Sequence, residues 1–480
     1  MNPASNPGLP LCVDMDGTLL RTDSLFESVA WTLRHAPWRL ALAPAWTLKG
    51  LAHLKSRLAA SCAMDPGLLP RHERFVEFLR EEKAAGRRLV LATGADFSVA
   101  SRVADSVGLF SEVIASDGVQ NLTGRAKAAK LESRFGRNGF DYAANDASDL
   151  WVWAGCRRAI AVGASEPVLR KLRRQSSVEA EFPRLRRSLA SGLLRSMRPH
   201  QWLKNLLLLV PLITSHQLLD RGILLRGLVA FASLCAAASA TYLINDLCDL
   251  EHDRRHPDKA RRPLAAGELP IPLVLITAPL LLAGSIALGT TLGMDFLAML
   301  VGYVSATLLY SLWWKQVILV DVFVLAGLYT LRLLMGGAAT GIPISNWLLA
   351  FSTFAFLSLA LGKRYSELLA AGATAPQGLP GRGYRGSDRE HVGQSGVAVG
   401  YLAILVFALY LQSPEVRLLY KSPNLLWLCC PVLLFWMSRF WLLTSRGEVD
   451  SDPVLFALRD VPSYILGAVL GGVMWLAARG

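Results

Sequence analysis

Three carboxylates, Asp246, Asp249 and Asp253, lie at i, i+3 and i+7 in the stretch NDLCDLEHDRRHPDKARRP, residues 245–263. On a helix that spacing stacks them along one face. Like charges on one face repel unless a cation sits among them. Mg2+ suits a place where phosphate is also held, because it takes one or two carboxylates and fills its shell with phosphate oxygens and water. Five cationic side chains follow at once: Arg254, Arg255, Lys259, Arg261 and Arg262. A second acidic pair, Asp14 and Asp16, closes the short apolar run from Leu9 to Val13. As a buried parallel strand, that run would aim both carboxylates into the crevice where α/β sheets bind ligands. A carboxylate is also a nucleophile toward phosphoryl groups.

The elements that must position these groups differ in kind. The Asp-rich stretch follows the apolar segment LCAAASATYLI and precedes another beginning near Leu269. Ionisable groups at the mouth of a membrane bundle are usually functional. The 480 residues are 52% hydrophobic with a mean hydropathy of +0.36, high for a soluble chain. Residues 1–200 mix charge with apolar residues as a soluble domain does. Beyond them come nine apolar segments of spanning length: about 203–219, 222–245, 270–290, 294–312, 317–335, 346–362, 395–412, 424–443 and 460–478.

The net charge of +13 concentrates between Arg157 and Lys204 and in short loops between apolar segments. This is the pattern of inward-facing membrane loops, and a basic arm of this kind also suits anionic membrane lipid; nucleic acid is not implied. With residues 1–200 on the cytoplasmic side, loops 246–269, 313–316, 363–394 and 444–459 carry thirteen Lys and Arg, and the outer turns carry three. The active face is then cytoplasmic and, with nine spans, the C-terminus lies outside. Seven cysteines without CxxC spacing argue for reduced thiols. No signal peptide is visible, since the first apolar run has no basic residues before it and leads into the acidic pair.

The segment LPLCVDMDGTLLRTDS resembles the first motif, DxDGT, of the haloacid dehalogenase (HAD) phosphohydrolase superfamily. The resemblance implies Asp14 as the nucleophile that becomes an aspartyl-phosphate and Asp16 as general acid/base. Arg88-Leu-Val-Leu-Ala-Thr93-Gly94 matches the second motif, implying that Thr93 binds phosphate. Lys127, with Lys130 as the alternative, stands where the family keeps a phosphate-neutralising lysine. The fourth motif appears as Ala144-Asn145-Asp146-Ala-Ser-Asp149, which carries Asn145 where a first metal-binding Asp is usual. Asp14, Asp16 and Asp149 are the metal ligands it implies. The expected fold is a Rossmann-like α/β domain over residues 1–165 with a helical cap over about 24–82, followed by a basic linker, 166–197. In the cap, Trp31, Trp38 and Trp46 are interleaved with Arg34, Arg39 and Lys49, which suits either ordinary cap packing or a helix lying on a bilayer.

Residues 198–480, with nine spans and NDxxDxxxD after the second, resemble the UbiA-type intramembrane prenyltransferase superfamily. Arg198-Pro-His-Gln-Trp-Leu-Lys204-Asn205 and His256-Pro-Asp-Lys-Ala-Arg-Arg262-Pro263 are similar to its branch that joins phosphoribosyl pyrophosphate (PRPP) to a polyprenyl phosphate. The resemblance implies an all-α transmembrane bundle and Mg2+ as cofactor. Asn245, Asp246, Asp249 and Asp253 would hold the metal and the donor diphosphate, with Asp246 and Asp249 central to catalysis, and Lys259 and Arg262 would meet phosphate oxygens. Tyr310, Lys315 and Asp321 form a second polar cluster, Asp321 being its sole clear carboxylate. Lys204, Arg332, Lys363 and Arg364 are further candidates for substrate phosphate, although Lys363 and Arg364 also read as loop anchors and Arg332 as a structural residue. Alternative functions are a conventional prenyltransferase using prenyl diphosphate, and a membrane scaffold or transporter. The fusion suggests that the HAD domain removes the ribose 5-phosphate of the transferase product.

Overall fold

Six parallel strands form the sheet, all but the charged β6 from largely apolar runs: β1 (Leu11–Val13), β2 (Leu89–Asp96), β3 (Glu112–Ser116), β4 (Asp141–Ala144), β5 (Ala159–Val162) and β6 (Val178–Phe182). Their order is β3-β2-β1-β4-β5-β6. Val13 pairs with Leu91 on one side and with Ala143 on the other. The inner strands are buried at every position rather than at alternate ones, because helices cover both faces of a parallel sheet. The chain runs outward from β1 to β3 and then restarts at β4 on the other side of β1. The carboxyl ends of β1 and β4 therefore flank a switch point, where such sheets bind ligands. Asp14 follows β1 directly and Asn145 follows β4.

The computed structural model describes residues 8–183, 188–215, 217–372, 382–449, 453–457 and 459–479. They divide into two compact units: 1–197 with 242–278, and 198–241 with 279–480. In the first, helices α1 (Ser24–His35), α2 (Ala43–Leu48) and α3 (Leu51–Ser61) are inserted after β1. Helix α1 starts sharply because the Asp23 carboxylate accepts from the backbone N–H groups of Leu25 and Phe26. The next helix, α4 (Glu73–Ala84), buries Phe75, Val76 and Leu79 in the sheet core. It belongs to the core layer, so the insert is shorter than the expected 24–82. Helices α5 (Phe97–Val107), α6 (Arg125–Phe135), α7 (Leu150–Trp153) and α8 (Glu166–Gln175) complete the layers. Residues 166–182 are not linker: they form α8 and β6, and β6 pairs with β5 in the sheet, leaving α9 (Leu189–Met197) within the expected linker.

The remaining helices are α10 (Val210–Thr214), α11 (Arg221–Cys248), α12 (Leu250–Arg255), α13 (Ile271–Thr290), α14 (Met294–Leu312), α15 (Val320–Thr340), α16 (Asn346–Ala371), α17 (Arg389–Tyr410), α18 (Pro414–Leu419), α19 (Cys429–Ser445), α20 (Pro453–Ala457) and α21 (Val461–Arg479). Among the described residues, eight helices are long and apolar enough to cross a membrane, where nine spans are expected. The difference lies in the first segment. Instead of one α-helix it is a 3-10 helix, Pro199–Leu209, continued by the short α10. At ~2.0 Å per 3-10 residue and ~1.5 Å per α residue, 199–214 still rises roughly 30 Å, about the hydrocarbon thickness. It tracks α15: Asn205 meets Arg332, and three residues on, a Cβ at Gly336 would collide with the Leu208 carbonyl. Three 3-10 residues and four α residues each advance about 6 Å, so the two run in step.

Candidate functional site

The i→i+4 ladder continues past the end of α11. Asp249 N–H donates to the Asn245 carbonyl and Asp253 N–H to the Asp249 carbonyl, both at 2.8 Å. The backbone therefore keeps helical spacing through the motif, and it brings the Asp246 and Asp253 carboxylates to one cation. Asp246 and Asp253 are buried, while Asn245 and Asp249 are half-buried. Arg262 comes back over them, its Nη1 at 3.2 Å from Asp246 Oδ1 and 2.5 Å from Asp253 Oδ2. A guanidinium thus occupies the place among the carboxylates that repulsion reserves for a cation. Burial pushes the Asp253 carboxyl up, with Arg262 opposing only in part. Lys259 is half-buried on the 3-10 turn Lys259–Arg261.

Among the described residues no three of His, Cys, Asp and Glu come together as a metal site. The Asp246–Asp253 pair still fits Mg2+, which needs only one or two carboxylates when phosphate completes its shell. Displacing Arg262 toward that phosphate would leave both carboxylates free for the ion.

In the second unit the candidates fall into separate clusters. Asp321, in the first turn of α15, is fully buried against Arg364 of α16, with Nη2 2.6 Å from Oδ2. This contact is an ion pair by distance without the alignment of a hydrogen bond, and among the described residues Arg364 Nε has no hydrogen-bond partner. Arg364 also pairs with Glu367, and Tyr384 donates from its hydroxyl to Asp321 Oδ1 at 2.7 Å. The same hydroxyl accepts from Leu319 N–H. Leu319 has φ of 64° and ψ of −41°, a strained turn for a side-chain-bearing residue that sets Asp321 in place. Asp321 and Arg364, expected to bind metal and substrate phosphate, are here committed to each other. Lys363, the neighbouring candidate, is half-buried.

Tyr310 accepts a hydrogen bond from Arg382 at 2.9 Å, with Lys315 half-buried nearby in the chain. Arg332 lies in the bundle interior. It donates to Asn205 Oδ1, the Leu328 carbonyl and the Tyr303 hydroxyl at 3.0, 2.6 and 2.9 Å, and its guanidinium lies over the Tyr303 and Tyr329 rings. Lys204 Nζ also lies over the Tyr329 ring, 6.0 Å from its centroid.

At the switch point of the sheet, Lys127 Nζ lies 2.8 Å from Asp14 Oδ1, 2.9 Å from the Tyr142 hydroxyl and 3.2 Å from Asp149 Oδ1. Lys130 is exposed, so Lys127 is the lysine beside Asp14. Burial pushes Asp14 up to about 6, with Lys127 opposing. Asp16 faces away from this group and accepts from both N–H and Oγ of Ser24. Burial, reinforced by the nearby Asp23, pushes it up to about 8. Both carboxyls are thus raised, Asp16 further than Asp14, which is the order that a nucleophile and a general acid require. Buried Thr93 accepts from Ala95 N–H at 3.1 Å, and Asn145 Oδ1 accepts from the Thr18 hydroxyl at 3.1 Å.

Of the metal ligands implied for this domain, Asp14 and Asp149 meet on Lys127 Nζ, so the place between them already holds a cation. Asp16 is engaged with Ser24, and Asp149 with Lys127, Tyr142 and the Asp146 N–H. The side chains beside Asp14 therefore fit a divalent ion poorly.

Sequence reasoning left several contributors without a role. Tyr142, Tyr384, Arg382 and Lys55 have no motif spacing to betray them. Lys55 of α3 donates to the Gly94 carbonyl and to Asn121 at 2.6 and 3.1 Å, and burial lowers its pKa. Arg254 sits next to Asp253, which is a signal, but its partner is 227 residues away: a buried two-pronged pair with Glu27 of α1, at 2.9 and 2.6 Å. Glu27 also accepts from the Thr22 hydroxyl. The residue run that begins with the Asp14 loop is thereby tied to the Asp-rich stretch.

The profile of the UbiA prenyltransferase family matches residues 207–461, and that of haloacid dehalogenase-like hydrolases matches residues 11–145. The uncharacterized protein y4nM of Sinorhizobium fredii is 35% identical over 98% of this chain and 91% of its own length. A decaprenyl-phosphate phosphoribosyltransferase of Corynebacterium glutamicum is 37% identical over 187 residues, 38% of this chain and 56% of that protein. A solved UbiA homolog from Archaeoglobus fulgidus bound to GPP and Mg2+ aligns over 60% of this chain and 100% of its own, at 17% identity and a TM-score of 0.45.

Proposed function

From the premise that the chain belongs to the UbiA prenyltransferase family and carries a HAD-like domain at its N-terminus, we propose that it transfers 5-phosphoribosyl from PRPP to a polyprenyl phosphate. The observation that carries this reading is the Arg262 bridge between Asp246 and Asp253, a cation already seated where a metal diphosphate would bind. The similarity to decaprenyl-phosphate phosphoribosyltransferases over the C-terminal part supports a sugar donor over a prenyl donor.

A phosphate oxygen of the lipid attacks the anomeric carbon, the bond from that carbon to the diphosphate breaks, and diphosphate leaves. The lipid phosphate is already anionic, so no base is required. The barrier is chiefly the charge that builds on the leaving group. Arg262 and Lys259 would meet that charge, and Asn245, Asp246, Asp249 and Asp253 would hold Mg2+, which supplies the remaining neutralisation. Lys204, Tyr310, Lys315 and Lys363 remain the candidates for the acceptor phosphate. Asp321, Arg364 and Tyr384 form a positioning group that fixes the start of α15, and Arg332 fixes the first crossing through Asn205.

The HAD domain would then remove the ribose 5-phosphate. Asp14 would attack phosphorus while Asp16 protonates the leaving ribose oxygen, and water would then cleave the aspartyl-phosphate, releasing inorganic phosphate and restoring the Asp14 carboxylate. The Arg254–Glu27 pair supports this tandem because it holds the two loops in one unit, and sites on one chain raise the effective concentration of an intermediate. The chain is a multi-pass membrane protein. The excess of Lys and Arg in one set of loops supports a plasma membrane location with both sites cytoplasmic. With 199–214 crossing as well as the eight long helices, the C-terminus would lie outside.

Purified protein incubated with PRPP, polyprenyl phosphate and Mg2+ is expected to yield lipid-linked pentose. Absence of pentose transfer, with prenyl diphosphate consumed instead, would overturn the reading. Asp14→Asn protein is expected to leave the lipid product phosphorylated; equal phosphorylation from wild type would remove the HAD step alone.

A further inference from the structure

From residue 28 to residue 64 there is no Asp or Glu, but there are five Lys and Arg. Within this stretch the 3-10 helix Pro37–Leu42 and α2 contain no buried residue at all. Large apolar side chains there point outward: Trp38 is 69% exposed, Leu42 52%, Leu48 90% and Leu51 54%. Arg39 and Lys49 are exposed among them. Scattered exposed leucines are ordinary, but a contiguous apolar surface rimmed by one sign of charge marks a binding face. The rest of the insert is not built this way. Trp31 packs on the sheet core, and Trp46 is half-buried.

The position of this surface in the fold selects its occupant. The end of α1 shares a hollow with the end of α11: Trp31, Arg34 and His35 line it with Leu247, Cys248 and Glu251. Helix α11 is a candidate span, so its last turn lies where hydrocarbon gives way to headgroups. Helix α1 ends at that level, and the exposed segment begins two residues later. The buried Arg254–Glu27 pair fixes this arrangement within the unit. We propose that residues 37–51 lie on the bilayer, with Trp38, Leu42, Leu48 and Leu51 in the boundary between headgroups and acyl chains and Arg39 and Lys49 on anionic headgroups. Aromatic and leucine side chains with basic flanks are the composition that lies in this plane, and each cation adds attraction to an anionic leaflet. The segment adds a membrane contact to the soluble domain that is independent of any spanning helix and of the catalytic assignments above.

The test uses the full-length protein in lipid nanodiscs. A Leu48→Cys variant carries an environment-sensitive fluorophore, with parent protein labelled in parallel to subtract the native cysteines. In discs of phosphatidylcholine and phosphatidylglycerol the probe is expected to emit at shorter wavelength and to lose most of its intensity to nitroxide-bearing lipid. A probe at the exposed Ser133 stays aqueous. Reversing the cations with Arg39→Glu and Lys49→Glu is expected to abolish the difference between discs with and without phosphatidylglycerol. An aqueous, unquenched probe at 48 in both lipid compositions would overturn the proposal. So would a shifted probe that nitroxide lipid does not quench and that returns to aqueous emission on dilution, which would mean a second copy of the chain covers the segment.

Discussion

Two of the carboxylate–guanidinium groups in this chain are made of the same chemistry and built for opposite ends. At Asp246, Asp253 and Arg262 the two carboxylates are buried, but the arginine side chain keeps 28% of its surface in water. At Asp321 and Arg364 both side chains are fully buried, and Tyr384 closes the last carboxylate oxygen. An arginine with water on one side can leave when a metal diphosphate arrives. One with none cannot, since an unpaired buried charge costs several kcal/mol. Burial, more than residue type, separates a site that exchanges its cation from a lock that keeps it.

The contrast is sharpest in stability. Asp321→Ala should cost about 3 kcal/mol, the low end for breaking a buried pair because Glu367 still answers Arg364, read as a fall in thermal unfolding temperature in detergent. Asp321→Ala with Arg364→Met should recover most of that loss. Asp253→Ala, leaving an arginine that can turn to water, should cost no more than ~1 kcal/mol. Equal losses at the two places would break the comparison. In activity the order reverses. Asp246→Asn should slow pentose transfer by roughly 10²–10³, about 2.7–4 kcal/mol of barrier, while the unfolding temperature stays near wild type; measured transfer at the wild-type rate would remove this group from the reaction.

The HAD-like site supplies a smaller, third comparison, because its lysine bridges two carboxylates much as Arg262 does. Asp14 must be ionised to attack, so phosphatase kcat/KM should rise with pH through about 6. Asp16 must be protonated to act as acid, so it should fall again through about 8. In Asp16→Asn protein the limb near 8 should disappear. A profile flat from pH 5 to 9 on any phosphate ester, a range of about one unit beyond each limb, would mean that Asp14 and Asp16 do not divide the work.

Chemistry written in short spacing was legible beforehand. Asp246 and Asp253 reach one cation because i and i+7 fall on one helical face, and Asp14 ends a strand because an apolar run stops there. Lys127 rather than Lys130 was also readable from its place in the run. What stayed hidden depends on residues far apart in the chain. Arg332 has a partner in Asn205, 127 positions away, and Arg254 has one in Glu27. No local pattern marks Tyr384 or Tyr142, whose hydroxyls matter only because burial leaves carboxylates that need donors. The first crossing was misread as an α-helix because hydropathy reports apolar length and not rise per residue. The sixth strand was missed because VEAEF carries too much charge to look like a buried strand, and it is in fact the sheet's edge.

The two kinds of domain, the apolar segments and the acidic motifs follow from neighbours within about two turns of helix or one strand. Which carboxylates share a water-exposed cation and which are locked to a buried one was settled by packing. That depends on what water each side chain can reach, and access to water is a property of the packed chain.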